Sequence, residues 1–195
     1  MNKENLKIIK EKALEEHIPI IMDDTLEVID TYLKEMKPKR ILEIGTAVGY
    51  SAICFSKYLA EDGIIDTIER DEERIVEAKE NIKEMELDSR INIYEGDAVE
   101  ILPTLNNKYD AVFIDAAKGK YTFFLEQALR MLDENGIIFA DNILYKGYVL
   151  SDYNKHKQRT AVRNLREYIK QTTENEKLET KILEVGDGLA ITQKK

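Results

Sequence analysis

The sequence is poor in features that would let it fold in unusual ways. It has one cysteine, Cys54, in 195 residues. That excludes a disulfide scaffold and a cysteine-based zinc site, and it suits a reducing compartment. No apolar run reaches the roughly 18 residues of a membrane-spanning helix. The N-terminal stretch MNKENLKIIKEK lacks a signal-peptide core. The expectation is a cytoplasmic protein with no membrane partner. There is no internal repeat, low-complexity tract or Pro/Gly-rich linker. What is present is globular, 43% hydrophobic and 34% charged, which rules out a disordered or fibrous chain. A chain this long buries roughly 70% of its unfolded surface and needs no metal or disulfide to fold. Residues 1–38 are expected to form a helical extension and residues 39–195 a single main domain.

The charge is unevenly spread. The net charge is −9, which by itself repels nucleic acid. Residues 146–170 nevertheless carry Lys146, Lys155, Lys157, Arg159, Arg163, Arg166 and Lys170 against only Asp152 and Glu167, a local charge of +5 on a remainder of −14. One basic patch on an acidic body suggests a local anionic partner. A solvated helix face would read the same way.

Hydrophobic periodicity changes along the chain. Residues 3–16 and 23–36 read as amphipathic helices, separated by Pro19 and closed by Pro38. From residue 40, short apolar runs ending in an acid alternate with helical stretches. Strands are expected at 40–44, 64–69, 91–95, 110–115 and 136–141, and helices at about 48–60, 71–86, 98–105, 120–132 and 155–173. This alternation specifies βαβ units and an α/β fold with a mostly parallel sheet between helices. At the end, 179–185 and 188–193 read as a hairpin turning at Gly186-Asp187-Gly188, which supplies an antiparallel strand at one edge.

Ligands of open α/β sheets bind at the carboxyl ends of the strands. The first five strand ends carry Glu43, Glu69, Asp97, Asp115 and Asp141-Asn142. Each acid singly could be a helix N-cap. The loop Gly45-Thr46-Ala47-Val48-Gly49 lacks the middle glycine of a dinucleotide fingerprint, which disfavours a nicotinamide dehydrogenase. It suits a ligand with an adenosine and an amino-acid tail. Glu69, 24 residues beyond Gly45, is placed to accept both ribose hydroxyl hydrogens and to repel a 2′-phosphate. Asp115, Asp141 and Asn142 form a hard, incomplete oxygen set suited to Mg²⁺, or else a turn with an N-cap. Lys118 beside such a cation is a candidate general base, or an exposed loop lysine.

The ordered motifs Ile41-Leu-Glu43-Ile-Gly45-Thr-Ala-Val-Gly49-Tyr50-Ser51, Thr67-Ile-Glu69-Arg70, Gly96-Asp97-Ala98, Phe113-Ile-Asp115-Ala-Ala-Lys118, Asp141-Asn142 and Val185-Gly186-Asp187-Gly188-Leu189 resemble the cation-dependent class I O-methyltransferases. This family holds the catechol and caffeoyl-CoA enzymes. The resemblance runs over about residues 17–193. It implies S-adenosylmethionine as methyl donor, a seven-stranded Rossmann-like sheet, and Mg²⁺ (or Mn²⁺ or Ca²⁺) at Asp115, Asp141 and Asn142. It implies donor contacts by Ile21, Glu43, Gly45, Thr46, Tyr50, Ser51, Glu69, Arg70, Gly96, Asp97, Ala98 and Asp115, with Asp115 and Lys118 catalytic. It also implies a homodimer. Within the family the phrases Glu16-His17-Ile18-Pro19-Ile20, Lys118-Gly-Lys120-Tyr121, Tyr145-Lys146-Gly147 and the basic stretch 155–166 look most like the bacterial tRNA 5-hydroxyuridine methyltransferases. On that resemblance Lys146, Lys155, Lys157, Arg159 and Arg163 meet RNA phosphates, and Tyr145 or Tyr148 stacks on a base of the anticodon loop unless it only packs. The alternatives are a small-molecule hydroxyl acceptor of catechol type and a non-catalytic donor-binding protein.

Overall fold

A computed structural model describes residues 2–152 and 158–195. The chain forms two compact units, Met1–Leu105 and Asn106–Lys195. Seven strands follow the sheet order β3-β2-β1-β4-β5-β7-β6, with ranges given below.

The first unit begins with α1 (Lys3–Glu15) and α2 (Asp23–Met36). The Asn2 side chain caps α1 by accepting the amides of Glu4 and Asn5 at 3.0 and 3.4 Å. Lys37 takes a left-handed φ of 48° and ends α2 just before Pro38. Three parallel strands follow, β1 (Arg40–Ile44), β2 (Ile64–Glu69) and β3 (Ile91–Glu95). All three lie within the spans read from the sequence. Ile41, Leu42, Ile44, Ile65 and Ile68 fill the core between this sheet and its helices, each burial contributing about 1.5–3 kcal/mol. Every residue of α3 (Tyr50–Ser56) is buried, and both N-terminal helices pack on it, so the expected extension is part of the first unit. Cys54 lies at the centre of that packing, hydrogen-bonded to Tyr50, and burial pushes its thiol up to about 12. The unit continues with α4 (Glu72–Glu84) and α5 (Ala98–Ile101). Helix α5 is shorter than expected because Pro103 lies in the 3₁₀ turn Leu102–Thr104 that follows it.

The second unit holds β4 (Tyr109–Ile114), α6 (Tyr121–Met131), β5 (Leu132–Ala140), α7 (Arg159–Thr173), β6 (Leu178–Leu183) and β7 (Leu189–Lys194). Strands β4 and β5 are parallel, and β7 runs antiparallel to both β5 and β6. The hairpin therefore supplies the antiparallel strand, one place in from the edge, and β6 is the edge strand. Strand β5 starts four residues earlier than the apolar run 136–141 suggested. The Asp133-Glu134-Asn135-Gly136 stretch is absorbed where the β4–β5 register shifts, and a Cβ at Gly136 would crowd Leu132 and the Asp110 carbonyl. Helix α7 buries Val162, Leu165, Tyr168 and Thr172 and turns Arg159, Arg163, Arg166 and Lys170 outward. The expected helical residues 155–157 lie outside the described residues. Among those described, no helix is long and apolar enough to cross a membrane.

Candidate active site

Each unit gathers part of the sequence-derived site. In the first, Glu43 is the penultimate residue of β1 and has no exposed surface. One of its oxygens accepts the Ser51 hydroxyl at 2.5 Å and the other the Thr67 hydroxyl at 2.5 Å. Thr46 Oγ1 lies 2.6 Å from Thr67 Oγ1. Thr67 gives its single proton to Glu43, so Thr46 is the donor to Thr67. One carboxylate thereby ties the end of β1 to the end of β2 and to the start of α3. Truncation to Glu43→Ala strands two buried hydroxyls and should destabilise the protein by about 2–4 kcal/mol, while Glu43→Gln recovers most of that. A urea-denaturation difference under about 1 kcal/mol for the alanine variant would remove Glu43 from this supporting role.

The glycine loop is shaped by backbone. Gly45, Ala47 and Gly49 have φ values of 105°, 45° and 82°, in the region open mainly to glycine. The strained Ala47 is held by Glu69, whose Oε2 accepts the Ala47 amide at 2.8 Å. The other oxygen of Glu69 accepts the amides of Arg70 and Asp71 at 2.8 and 3.0 Å. Glu69 was expected to offer both oxygens to a ribose. Here Oε1 already accepts two bonds, and Oε2 keeps one acceptor position. Asp97 caps α5 by accepting the Val99 amide at 2.8 Å, and its second oxygen is 3.5 Å from the Arg70 guanidinium. The helix-cap role is thus realised. Gly96, at φ 141°, donates its amide to the Glu69 carbonyl at 2.7 Å, and Ala98 opens α5. Ile21 and Tyr50 are buried. This rim carries Glu43, Glu69 and Asp97 with Arg70 as its sole sequence-derived cation, and the loop 45–51 has no base. Such a set fits a cationic sulfonium nucleoside better than a pyrophosphate.

In the second unit, Asp115 follows β4 and Asp141-Asn142 follow β5. The Asn142 amide nitrogen donates to Asp115 Oδ1 at 3.2 Å, and the Asn142 backbone amide donates to Asp141 Oδ1 at 2.7 Å. Asn142 takes a left-handed φ of 59° to do both. Burial raises the Asp115 carboxyl, against the pull of the Lys118 ammonium. Asp141 is 3% exposed. Its carboxyl is pushed up to about 7, first by burial and then by the charge of Asp115. Two neighbouring carboxyls that resist ionising together are the chemistry a divalent cation relieves. Turning the Asn142 amide over presents a third oxygen. Among the described residues no cluster of three acidic, histidine or cysteine side chains forms a closed cage. Water and substrate would complete the shell, as Mg²⁺ prefers. The residues fit the cation.

Two supports escaped the sequence reading. Tyr121, fully buried at the start of α6, donates its hydroxyl to the Asp141 carbonyl at 2.8 Å and packs edge-on against Tyr168 of α7. Asn164 of α7 accepts the Thr122 amide at 3.1 Å. Only a buried tyrosine at a helix start and a polar residue inside α7 could have signalled them. Lys118 Nζ sits over the Tyr145 ring, 5.4 Å from its centroid, and Tyr145 meets Tyr148 edge-on at 5.8 Å. Lys146 is exposed with a φ of 56°. Arg159 and Arg163 line an open groove of about 670 Å³ with Val149, Leu150 and Asp152. Lys155 and Lys157 lie outside the described residues.

Comparison with known proteins gives concordant relatives. The model of a family described as O-methyltransferase matches residues 2–195. A catechol O-methyltransferase of Niastella koreensis is 35% identical over 162 residues, covering 78% of this chain and 72% of that protein. Tapetum-specific methyltransferase 1 of Arabidopsis thaliana is 30% identical over 202 residues, covering 98% and 86%. The crystal structure of a candidate caffeoyl-CoA O-methyltransferase from Staphylococcus aureus superposes with a TM-score of 0.90 at 34% identity, covering 97% of this chain and 92% of that one.

Proposed function

The chain belongs to the O-methyltransferase family, and from that premise we propose a specific reaction: transfer of the methyl group of S-adenosylmethionine to the 5-hydroxyl of a wobble uridine in a tRNA anticodon loop. The donor is assigned to the acidic rim and glycine loop of the first unit, and the acceptor hydroxyl to Asp115, Lys118, Asp141 and Asn142. That intact set favours an enzyme over a protein that only binds the donor.

The observation that carries the acceptor reading is the groove faced by Arg159 and Arg163 next to the loop bearing Tyr145 and Tyr148. Exposed guanidiniums beside aromatic rings are the chemistry that takes up phosphate and unstacked base together. An anticodon-loop base is already unpaired, so little unstacking energy is needed.

Asp115, Asp141 and Asn142 would hold Mg²⁺, or Mn²⁺ or Ca²⁺ in its place. When bound, the cation supplies positive charge that favours the deprotonated form of the acceptor hydroxyl. Lys118, after giving up its own proton to solvent, takes the hydroxyl proton on the neutral amine, and the Tyr145 face 5.4 Å from Nζ stabilises the ammonium so re-formed. The acceptor oxygen then forms the new C–O bond as the C–S bond of the donor breaks, the thioether keeping the bonding pair. Tyr121 and Asn164 keep the two strand ends and the start of α6 in place while this happens, so that catalysis rests on position and fixed charge.

Reversal of Arg159 and Arg163 to Glu should weaken tRNA binding by about 10- to 100-fold near 50 mM salt and reduce the slope of log K against log salt by about 2. Nucleoside mass spectrometry of methylated tRNA should show 5-methoxyuridine. Unchanged binding and slope, with faster turnover of a catechol panel than of tRNA, would transfer the acceptor role to a small diol. That second reading is favoured by the catechol O-methyltransferase of Niastella koreensis among the relatives.

A further inference from the structure

Beyond β5 the chain enters an unusually constrained loop. Tyr145 and Lys146 have φ values of 40° and 56°, and Gly147 follows at 72°. Side chains seldom adopt such backbone, and it persists only where surrounding contacts fix it. Two sets of bonds do so. At the near end, the amides of Ile143, Leu144 and Tyr145 donate to the carbonyls of Gly188 and Asp187 at 2.9, 2.9 and 3.2 Å. Gly188, at φ 93°, lies so close to Leu144 that a Cβ would overlap it. At the far end, Arg166 of α7 donates Nε to the Val149 carbonyl at 3.0 Å and Nη2 to the Tyr148 carbonyl at 3.2 Å and to the Ser151 carbonyl. Between these pins the Tyr148 amide donates to the Tyr145 carbonyl at 3.0 Å, the two rings meet edge-on, and the Tyr145 ring faces Lys118.

Arg159, Arg163 and Arg166 share one helix face at spacings of four and three, and all three are exposed along the same groove. Spacing alone would make them equivalent phosphate contacts. The hydrogen bonds separate them, because the guanidinium of Arg166 is occupied by three backbone carbonyls of the opposite wall. We infer that Arg166 is a positioning residue: it clamps the 145–151 loop to α7, so that Tyr145 is held against Lys118 and the acceptor meets a preformed aromatic wall. A planar fork with donors on two edges can reach three carbonyls at once. A single ammonium on a flexible stem cannot, so lysine is no substitute here.

The acceptor part of this inference rests on the tRNA reading, and the loop part does not. In Arg166→Gln and Arg166→Lys, hydrogen exchange at the Tyr148 and Val149 amides should quicken at least tenfold, with β5 and the buried face of α7 unchanged. The KM for tRNA should rise and kcat should fall several-fold at every salt concentration, with the KM for the donor within twofold and the salt slope unchanged. Arg163→Gln should do the reverse, lowering the slope by about 1 and leaving loop exchange as in the parent. Unaltered loop exchange in both Arg166 variants, or a slope that drops as for Arg163, would overturn the clamp. Absence of any tRNA binding by the parent protein would sink the acceptor reading alone, and the exchange measurement would still decide the role of Arg166.

Discussion

Asp141→Ala should lower methyl transfer on the order of 10³-fold, the loss seen when one preorganised charge-stabilising group is removed from an active site. Asp141 is the most constrained member of its cluster. Its side chain is fixed by the Asn142 amide, its carbonyl by the Tyr121 hydroxyl, and its own amide by the Ile114 carbonyl at 3.0 Å. Substitution also removes one of two carboxylates, so divalent-cation affinity should fall with activity. Donor binding should stay within about threefold, since apart from Asp115 the donor contacts are assigned to the first unit. Turnover at saturating Mg²⁺ and calorimetric titration with S-adenosylmethionine measure the two effects separately. Activity within tenfold of the parent, or full parent activity in excess chelator, would refute a cation at this cluster.

The second large effect concerns stability in the absence of a divalent ion. The folded Asp141 carboxyl titrates at about 7, against 3.8 when unperturbed. Between those values the folded state binds the proton more tightly than the unfolded state. Stability from this group is therefore complete below about pH 4 and is lost as pH rises to about 7. The span corresponds to about 4 kcal/mol, and the upward shift of Asp115 acts in the same direction. In chelator, the parent should lose stability from pH 5 to pH 8 relative to Asp141→Asn, which keeps the shape and lacks the charge. At pH 8 the variant should be the more stable protein while being nearly inactive. Adding Mg²⁺ at 100 times its dissociation constant should return about 2.7 kcal/mol to the parent and nothing to the variant. Parallel urea-denaturation curves for the two proteins across that range would mean that the burial of Asp141 carries no penalty.

Much of this architecture could be read from residues. β1, β2 and β3 are short apolar runs ending in acids, and that period change is local, so their bounds emerged directly. The rim carboxylates followed from topology, because within each unit the parallel strands deliver their ends to one side. What the sequence hid was the division of labour among them. Glu69 and Asp97 look alike as acids after strands, yet Glu69 staples a strained alanine and Asp97 caps a helix, and only the backbone conformation distinguishes these roles. The early start of β5 was masked by Asp133-Glu134-Asn135-Gly136, which the strand absorbs as a register shift between the Leu132–Tyr109 and Ile137–Ala111 pairs with β4. Tyr121, Asn164 and Arg166 escaped because their partners are 20, 42 and 15–18 residues away, beyond the reach of any periodicity.

The packing around Cys54 has a practical corollary. Thiol reagents attack the thiolate, and this thiol is both enclosed by helix packing and strongly disinclined to ionise. The folded protein should therefore resist air oxidation and maleimides without added reductant. Any cysteine introduced on the outside, for example at the exposed Leu150, would be the sole reactive handle. A fluorophore attached there would sit on the loop beside the arginine-faced groove, reporting its movements in an otherwise silent background.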